Sequence, residues 1–307
     1  MNKKLLPALI AMSIATSATA EVDVYGKVRL AMENVDEADT STIELRNNAS
    51  RLGFKGSEEM EGGMTVVYQY ELGINPDDNT TWTQRNSFLG VKGNFGLVKA
   101  GHFDSAFKSS QGKVDVFGDT VGDIGVAFTP NENRVSNTVA YSTPNMNGFG
   151  ATLQYIASET DGVDDGISSS VSYGNDALYL AAAYDSGVEE ADSSAMRVVG
   201  TYIIGSFQLG ALYEDYEPAV GESGSGWLLS GKYDINAWAL KAQYSSSEMR
   251  VPGATTDSVS VGFEYSVSKT FKWEGYAVNH ESEADIDPGF AGGFDATVIG
   301  FGAELKF

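Results

Sequence analysis

The sequence predicts an all-β protein, a transmembrane antiparallel β-barrel of sixteen strands. Three observations carry that prediction. Segments of roughly ten residues alternate apolar and polar side chains with a period of two. The connections between them alternate between short and long. After the first twenty residues, no stretch is apolar over the roughly 18 residues that a membrane helix requires.

The chain opens with Met1-Asn2-Lys3-Lys4, a mostly apolar run from Leu5 to Ala15, and small residues ending Ala18-Thr19-Ala20. A basic start, a short apolar core and an A-x-A site are the parts of a secretory leader. The apolar run is shorter than the roughly 20 residues that span a bilayer. Pro7 fits poorly in an amphipathic first helix. Residues 1–20 are therefore expected to be a cleaved signal peptide, and residues 21–307 a single barrel domain with no linker or low-complexity segment.

The strands are expected at 22–32, 43–57, 63–73, 82–93, 95–103, 134–142, 148–157, 167–174, 177–184, 194–203, 206–213, 226–233, 236–247, 258–266, 271–279 and 296–307. Val259, Val261, Phe263 and Tyr265 alternate with Ser258, Ser260, Gly262, Glu264 and Ser266. Trp238, Leu240, Ala242 and Tyr244 alternate with Ala239, Lys241, Gln243 and Ser245. Ile299, Phe301, Ala303, Leu305 and Phe307 alternate with Gly300, Gly302, Glu304 and Lys306. In Phe207–Glu214 the one exception to alternation is Leu212. A soluble β-sandwich alternates too, but it has no reason to place short turns at one end and long loops at the other. An even-stranded membrane barrel does, and sixteen strands leave an aqueous lumen. The apolar face then meets hydrocarbon, and Lys241, Glu264, Glu304 and Lys306 point into water. Tyr233, Trp238, Tyr265 and Trp273, near strand ends, suit the membrane interfaces.

Composition excludes several functions. Cysteine is absent, so no disulfide holds the exported chain. A net charge of −22 opposes nucleic-acid binding, which needs a basic surface. Disorder, which high charge can also signal, is opposed by 42% hydrophobic residues and regular strand periodicity. His102 and His280 are the only histidines, and neither sits in a nucleophile motif, so no enzyme activity is expected. No His/Cys metal constellation is present and no cofactor is expected.

The chain resembles the general diffusion porins of Gram-negative bacteria. The resemblance lies in Val22-Asp23-Val24-Tyr25-Gly26-Lys27, in Ser50-Arg51-Leu52-Gly53-Phe54-Lys55-Gly56-Ser57-Glu58 and in Gln84-Arg85-Asn86-Ser87-Phe88-Leu89-Gly90-Val91-Lys92-Gly93. Arg134-Val135-Ser136-Asn137-Thr138-Val139-Ala140-Tyr141-Ser142 and the terminal Phe307 continue it over the whole mature chain. It implies an outer-membrane homotrimer of sixteen-stranded barrels in which a third loop folds into the lumen. Residues 101–125 occupy that loop's position, and Phe117-Gly118-Asp119 resembles its turn. The family often has Pro-Glu before that Phe where this chain has Asp115-Val116, and Arg where this chain has His102. The terminal Phe307 is implied as the signal read by the barrel-assembly machinery.

Lys27, Arg51, Arg85 and Arg134 sit on strand faces whose neighbours two residues away are mostly polar or small, so they are expected to line the lumen as a basic wall. Phe54 and Phe88 count to the opposite face, and Gly90 is expected to face outward, where small residues let barrels approach. Asp115, Asp119 and Asp123 are expected on the opposing loop, giving a transverse field across a narrow ring.

The long segments are 33–42, 75–81, 104–125, 158–166, 185–193, 214–224, 248–257 and 280–295. They hold most of the 42 acidic residues and only three basic ones, Lys108, Lys113 and Arg250. Such a mouth favours cations. The expected function is therefore passive diffusion of small hydrophilic solutes and ions with mild cation selectivity. Acidic loops also suggest contact with lipopolysaccharide through divalent cations. An adhesin or structural barrel needs neither an inward loop nor a basic wall. A substrate-specific channel, for oligosaccharides for example, remains the alternative. Tyr25, Tyr179 and Tyr276 have inward parity for it but form no continuous run.

Overall fold

A backbone crossing hydrocarbon must satisfy all its hydrogen bonds internally, and strands do so only when their sheet closes. The computed structural model describes residues 21–37, 40–79, 82–251, 253–283 and 295–307. The leader expected at residues 1–20, and Asp39, Asp285 and Asp287 among the loop acids, lie outside the described residues. The remaining chain forms β1 (Glu21–Glu37), β2 (Thr40–Asn47), β3 (Arg51–Met60), β4 (Met64–Gly73), β5 (Thr83–Gly93) and β6 (Gly96–Asp104). Two short helices, α1 (Ala106–Ser109) and α2 (Ile124–Ala127), precede β7 (Arg134–Ser142), β8 (Phe149–Ile156), β9 (Gly166–Gly174), β10 (Leu178–Ser186) and β11 (Ser194–Ile204). The rest are β12 (Phe207–Glu217), β13 (Gly224–Ile235), β14 (Trp238–Val251), β15 (Ala254–Ser266), β16 (Phe271–Ser282) and β17 (Ala296–Lys306).

β2 and β3 are two halves of one barrel strand, since both pair with β1, from Leu30↔Asn47 to Glu37↔Thr40 and from Glu21↔Ser57 to Lys27↔Arg51. The wall therefore has the sixteen strands expected. Each pairs antiparallel with its sequence neighbours, and β1 closes on β17 from Lys27↔Lys306 to Glu37↔Ala296. The seam ends in a reciprocal pair of bonds, Gly26 N–H to Phe307 C=O at 3.0 Å and Phe307 N–H to Gly26 C=O at 3.1 Å. Gly26 is required there. A Cβ at this position would lie 2.6 Å from both the Phe307 ring and the Arg51 carbonyl.

Alternation sets the faces. Val24, Leu89, Leu240, Ile299 and Phe301 are exposed on the outside, whereas Lys27, Glu274 and Glu304 on the other parity are buried inside. The outer aromatics cluster near the short turns, with Trp238 4.6 Å from Tyr265 and Phe207 4.3 Å from Tyr233 between ring centroids.

Strands run further on the long-loop side than apolar alternation suggested. Segments expected as loop in 33–42 and 248–257 are largely strand, and β12 runs to Glu217 within 214–224. Pairing continues past the hydrocarbon, where outward positions turn polar, as at Asn34, Asp215 and Asp257, and the alternation signal fades. Glu33 and Glu214 are consequently fully buried lumen residues rather than mouth residues.

Residues 105–133, between β6 and β7, lie inside the barrel. Their apolar side chains dock on an apolar patch of the inner wall. Phe107, Val114, Ile124 and Phe128 pack with Ala181, Val199, Leu212 and Leu228. Phe117 and Val121 pack with Ala31, Val35, Tyr276, Val278 and Val298. Leu212, the exception to alternation, is thus an inward side chain under the loop. Gly210 beside it makes room, because a Cβ there would meet Val114 at 2.9 Å.

Phe107 is fully enclosed in this patch. Phe107→Ala should cost about 3–5 kcal/mol through the cavity left behind and lower the unfolding temperature by on the order of 5–10 °C. A circular-dichroism melt in detergent measures it; an unshifted melt would show that the loop contributes nothing to barrel stability.

Candidate functional site

Polar tethers carry the inward loop around the wall. The Tyr179 hydroxyl donates to Ser110 C=O at 3.0 Å, and Gln208 to Lys113 C=O at 2.8 Å. Gln243 accepts from Val116 N–H at 3.1 Å and donates to Gly122 C=O at 3.0 Å. Ser247 donates to Phe128 C=O at 2.5 Å, His280 Nε2 sits 3.0 Å from Val121 C=O, and Arg29 donates to Gly118 C=O at 2.8 Å. The loop therefore lines the inner wall from β10 to β17 and β1, leaving the β3–β7 wall opposite it.

At the loop's tip, Asp119 adopts a left-handed backbone (φ 66) directly after Gly118. Aspartate is among the few side chains that tolerate this conformation, at a cost of about 1–3 kcal/mol. The turn brings one carboxylate oxygen to 2.7 Å from Lys27 Nζ and 2.7 Å from Arg51 Nη2. Burial raises the Asp119 carboxyl, but Lys27 and Arg51 outweigh it and hold its pKa down at about 2.

The four cations expected as a basic wall each meet a carboxylate. Arg85 Nε lies 2.7 Å from Glu71, which is also 3.8 Å from Arg51. Arg134 lies 3.0 Å from Asp104 and donates to Asn86 at 2.8 Å. Lys108, on α1, approaches Asp104 at 3.6 Å. A chain Lys27–Asp119–Arg51–Glu71–Arg85 thus spans β1, the loop tip, β3, β4 and β5.

Asp115 and Asp123 turn away from that wall. Asp115 accepts from Phe117 N–H at 2.8 Å and Ile124 N–H at 3.2 Å. Asp123 accepts from Asp119 N–H and Gly125 N–H, both at 2.7 Å. Burial, and for Asp115 also the neighbouring Asp123, pushes both carboxyls above the ordinary carboxylate range. These two residues shape the loop and present Asp119. The acids that face the wall beside Asp119 are Glu71 and Asp104, which sequence reasoning missed. A lone acid in the aromatic run Tyr68-Gln69-Tyr70-Glu71 was the available signal for Glu71.

Two parity assignments change. Between Tyr70 and Leu72 of β4 the register slips by one residue of β5, so Gln84 and Ser87 both sit on the outer face. Arg85 and Phe88 therefore both face inward. The Phe88 ring meets Phe103 at 6.0 Å, and Lys99 Nζ lies 4.8 Å from it. Gly90 pairs with Lys99 on this same inner face and is not an outward contact.

The wall from β14 to β1 is charge-paired as well. Arg29 grips Glu274 with two bonds of 2.7 and 2.8 Å. Lys241 and Lys272 both lie 2.9 Å from Glu264, and Lys306 lies 3.1 Å from Glu304. Among the described residues, no group of three or more His, Cys, Asp or Glu is arranged to hold a metal ion.

A family model described as Gram-negative porin matches residues 7–285. The major outer membrane protein P.IB of Neisseria gonorrhoeae is 30% identical over 177 residues, covering 52% of this chain and 50% of that protein. P.IB of Neisseria lactamica is 29% identical over 176 residues, 53% and 52% of the two chains. The chain spans about half the length of the curated relatives it matches. An anion-selective porin from Comamonas acidovorans superposes with a TM-score of 0.82 at 22% identity, covering 94% of this chain and all of that one. Salmonella typhi OmpF, solved with daunomycin, gives 0.79 at 16% identity, covering 96% and 100%. These two share the fold.

Asp119→Asn removes one negative charge from between Lys27 and Arg51 and should shift ion preference toward anions by about twofold in permeability ratio. A depressed carboxyl stays ionised above its folded pKa and loses its charge only as pH falls through that value. The difference between parent and variant should therefore persist from pH 7 to pH 4 and fall to about half near pH 2. Reversal potentials across that range check it; a difference already gone at pH 4 would contradict the paired state of Asp119.

Proposed function

The chain belongs to the Gram-negative porin family of the outer membrane, and from that premise we propose that it is an open diffusion channel for small hydrophilic solutes and ions, mildly selective for cations. The observation that carries this reading is the lumen. One side is filled by the inward loop, and the opposite wall, from Lys27 to Arg134, is lined by charged groups rather than by a binding cleft. Opposed charges across a narrow ring orient dipolar solutes and disfavour apolar ones.

Selectivity follows from which charges remain uncompensated. The four cations of the wall are each paired at short range with Asp119, Glu71 or Asp104, and Glu304 lies 3.6 Å from Lys27 as a fourth carboxylate. The external loops carry carboxylates with few cations among them. The mouth therefore sets the long-range potential on an approaching ion, within a Debye length of about 8 Å at physiological salt.

The tyrosines that would favour an oligosaccharide channel are engaged elsewhere. Tyr25 donates to Glu71 at 2.9 Å, Tyr179 to Ser110, and Tyr276 to Glu33. This supports general diffusion, and liposome swelling with a graded series of sugars separates the two readings.

Assembly is part of the same proposal. One solved relative in fold, OmpT of Vibrio cholerae, is described in a trimer form. We place this chain in a homotrimer on family grounds alone, since Gly90 no longer offers an outward contact. Cleavage after Ala20 and recognition of Phe307 by the barrel-assembly machinery belong here too. Any divalent cation bridging the acidic loops to lipopolysaccharide would be shared with the lipid's own phosphates, because no described cluster completes a site by itself.

Two measurements test this. In a KCl gradient the pore should prefer cations, with a preference that weakens as ionic strength rises; anion preference at low salt would overturn it. Deleting Phe307 removes the reciprocal bonds to Gly26 at the seam and should leave little folded barrel in the outer membrane; unchanged levels by fractionation would refute the assembly role.

A further inference from the structure

The apolar floor of the inner wall runs on past the edge of the inward loop. On β11, Val199 is buried beneath the loop, and Thr201 and Ile203 follow it on the same face. Ile203 stands opposite Gln208, which donates to the Lys113 C=O of the loop at 2.8 Å, so both face inward. Yet Ile203 is 38% exposed. An apolar side chain left bare in an aqueous lumen carries an unfavourable hydration free energy, which a ligand's apolar surface would relieve.

Ile203 helps to enclose a cavity of about 590 Å³, within the usual size of a small-ligand site. Gly112 and Lys113 of the loop, Tyr179 of β10 and Asp176 of the short turn between β9 and β10 border it. The Tyr179 ring is held by its hydroxyl bond to Ser110 C=O at 3.0 Å. Gly112 leaves room for that ring through a left-handed backbone (φ 60), since a Cβ there would lie 2.7 Å from it. Short turns face the periplasm in an outer-membrane barrel, so the cavity lies on the periplasmic side of the loop.

Two ionic groups border this apolar surface. Lys113 brings an ammonium from the loop and Asp176 a carboxylate from the turn. Among the described residues neither is in an ion pair, so the two charges stand apart from one another. Cation, apolar surface and anion in one enclosure complement a zwitterion whose charges are separated by an apolar body. A free amino acid carries both charges on one carbon. The termini of an extended dipeptide are about 7 Å apart.

We propose that this cavity is a resting site for short peptides with apolar side chains. The peptide's carboxylate meets Lys113, its ammonium meets Asp176, and its side chains cover Ile203 and the Tyr179 ring. The proposal rests on the reading of this chain as an open pore and goes beyond general diffusion. Apolar peptides pause in the lumen, whereas solutes that lack the apolar part pass.

Single-channel recordings of the full chain, with dipeptides added on the periplasmic side, test it. Dileucine should interrupt the current with dwell times about tenfold longer than those of diglycine, which has both charges and no apolar side chain. Lys113→Gln and Asp176→Asn should each shorten the dileucine dwell about threefold, the effect of losing one solvent-exposed ion pair. Amidating the peptide's C-terminus should abolish the effect of Lys113→Gln and preserve that of Asp176→Asn. Current that dileucine does not interrupt, equal dwell times for the two peptides, or dwell times unchanged in both variants overturn the proposal. The peptide comparison uses the parent protein and so stands even where a variant fails to insert. Absence of any conductance overturns the pore reading itself, a result distinct from an open pore that peptides leave undisturbed.

Discussion

Closure of the sheet governs everything else in this protein. In hydrocarbon each unpaired backbone group costs several kcal/mol. Antiparallel pairing runs from β1 through every strand to β17 and back to β1, ending on the Gly26–Phe307 bonds. Once the sheet closes, every strand has one face toward lipid and one toward the lumen, and side-chain parity becomes a choice of solvent. That is why a chain of net charge −22 lives in a membrane. Its ionic groups are gathered on the inner face and at the ends, while Leu240, Ile299 and Phe301 meet the bilayer.

The closed wall leaves an interior too wide to be filled by strand side chains, and the inward loop fills part of it. Its docking reverses the usual rule for a lumen. Val199, Leu212, Leu228, Val278 and Val298 are apolar although they point inward, since they meet Phe107, Phe117 and Phe128 rather than water. Charge takes over at the edges of this apolar floor. Buried pairs such as Arg29–Glu274 and Arg197–Glu214 gain little net stability after desolvation, but breaking one strands a charge. Their geometry therefore fixes where the loop's tip stands more than it stabilises the barrel.

Much of this was legible in the sequence, and the illegible parts share one cause. The strand number and the inner and outer faces of most strands follow from local pattern, and the Phe117-Gly118-Asp119 turn from the family resemblance. So did Leu212 as an anomaly, though its meaning needed the loop above it. Features that depend on contacts between distant segments did not show. The break between β2 and β3 and the bulge opposite Tyr70 shift register without altering composition, and the bulge alone reassigned Phe88 and Gly90. Three aspartates on one loop look alike as letters. Only folding decides that Asp115 and Asp123 bind backbone N–H groups while Asp119 meets Lys27 and Arg51. The partners of the basic wall, Glu71 and Asp104, were hidden because pairing across strands leaves no mark on sequence spacing.

A basic wall compensated at 2.7 to 3.0 Å has a consequence for how the pore discriminates. Such pairs largely cancel as monopoles beyond a few ångströms but persist as dipoles pointing across the lumen. Near field and far field therefore act on different properties of a solute. A permeant molecule at the constriction feels a transverse field that rewards dipole alignment and penalises an apolar surface that must shed water. An ion still outside feels only the uncompensated carboxylates of the mouth, a potential that salt screens within a Debye length. On the function proposed above, size and polarity are judged at the constriction, where short contacts make the field nearly insensitive to salt, and charge at the entrance, where it is sensitive. The pairing of Lys27, Arg51, Arg85 and Arg134 is what keeps these two tests separate.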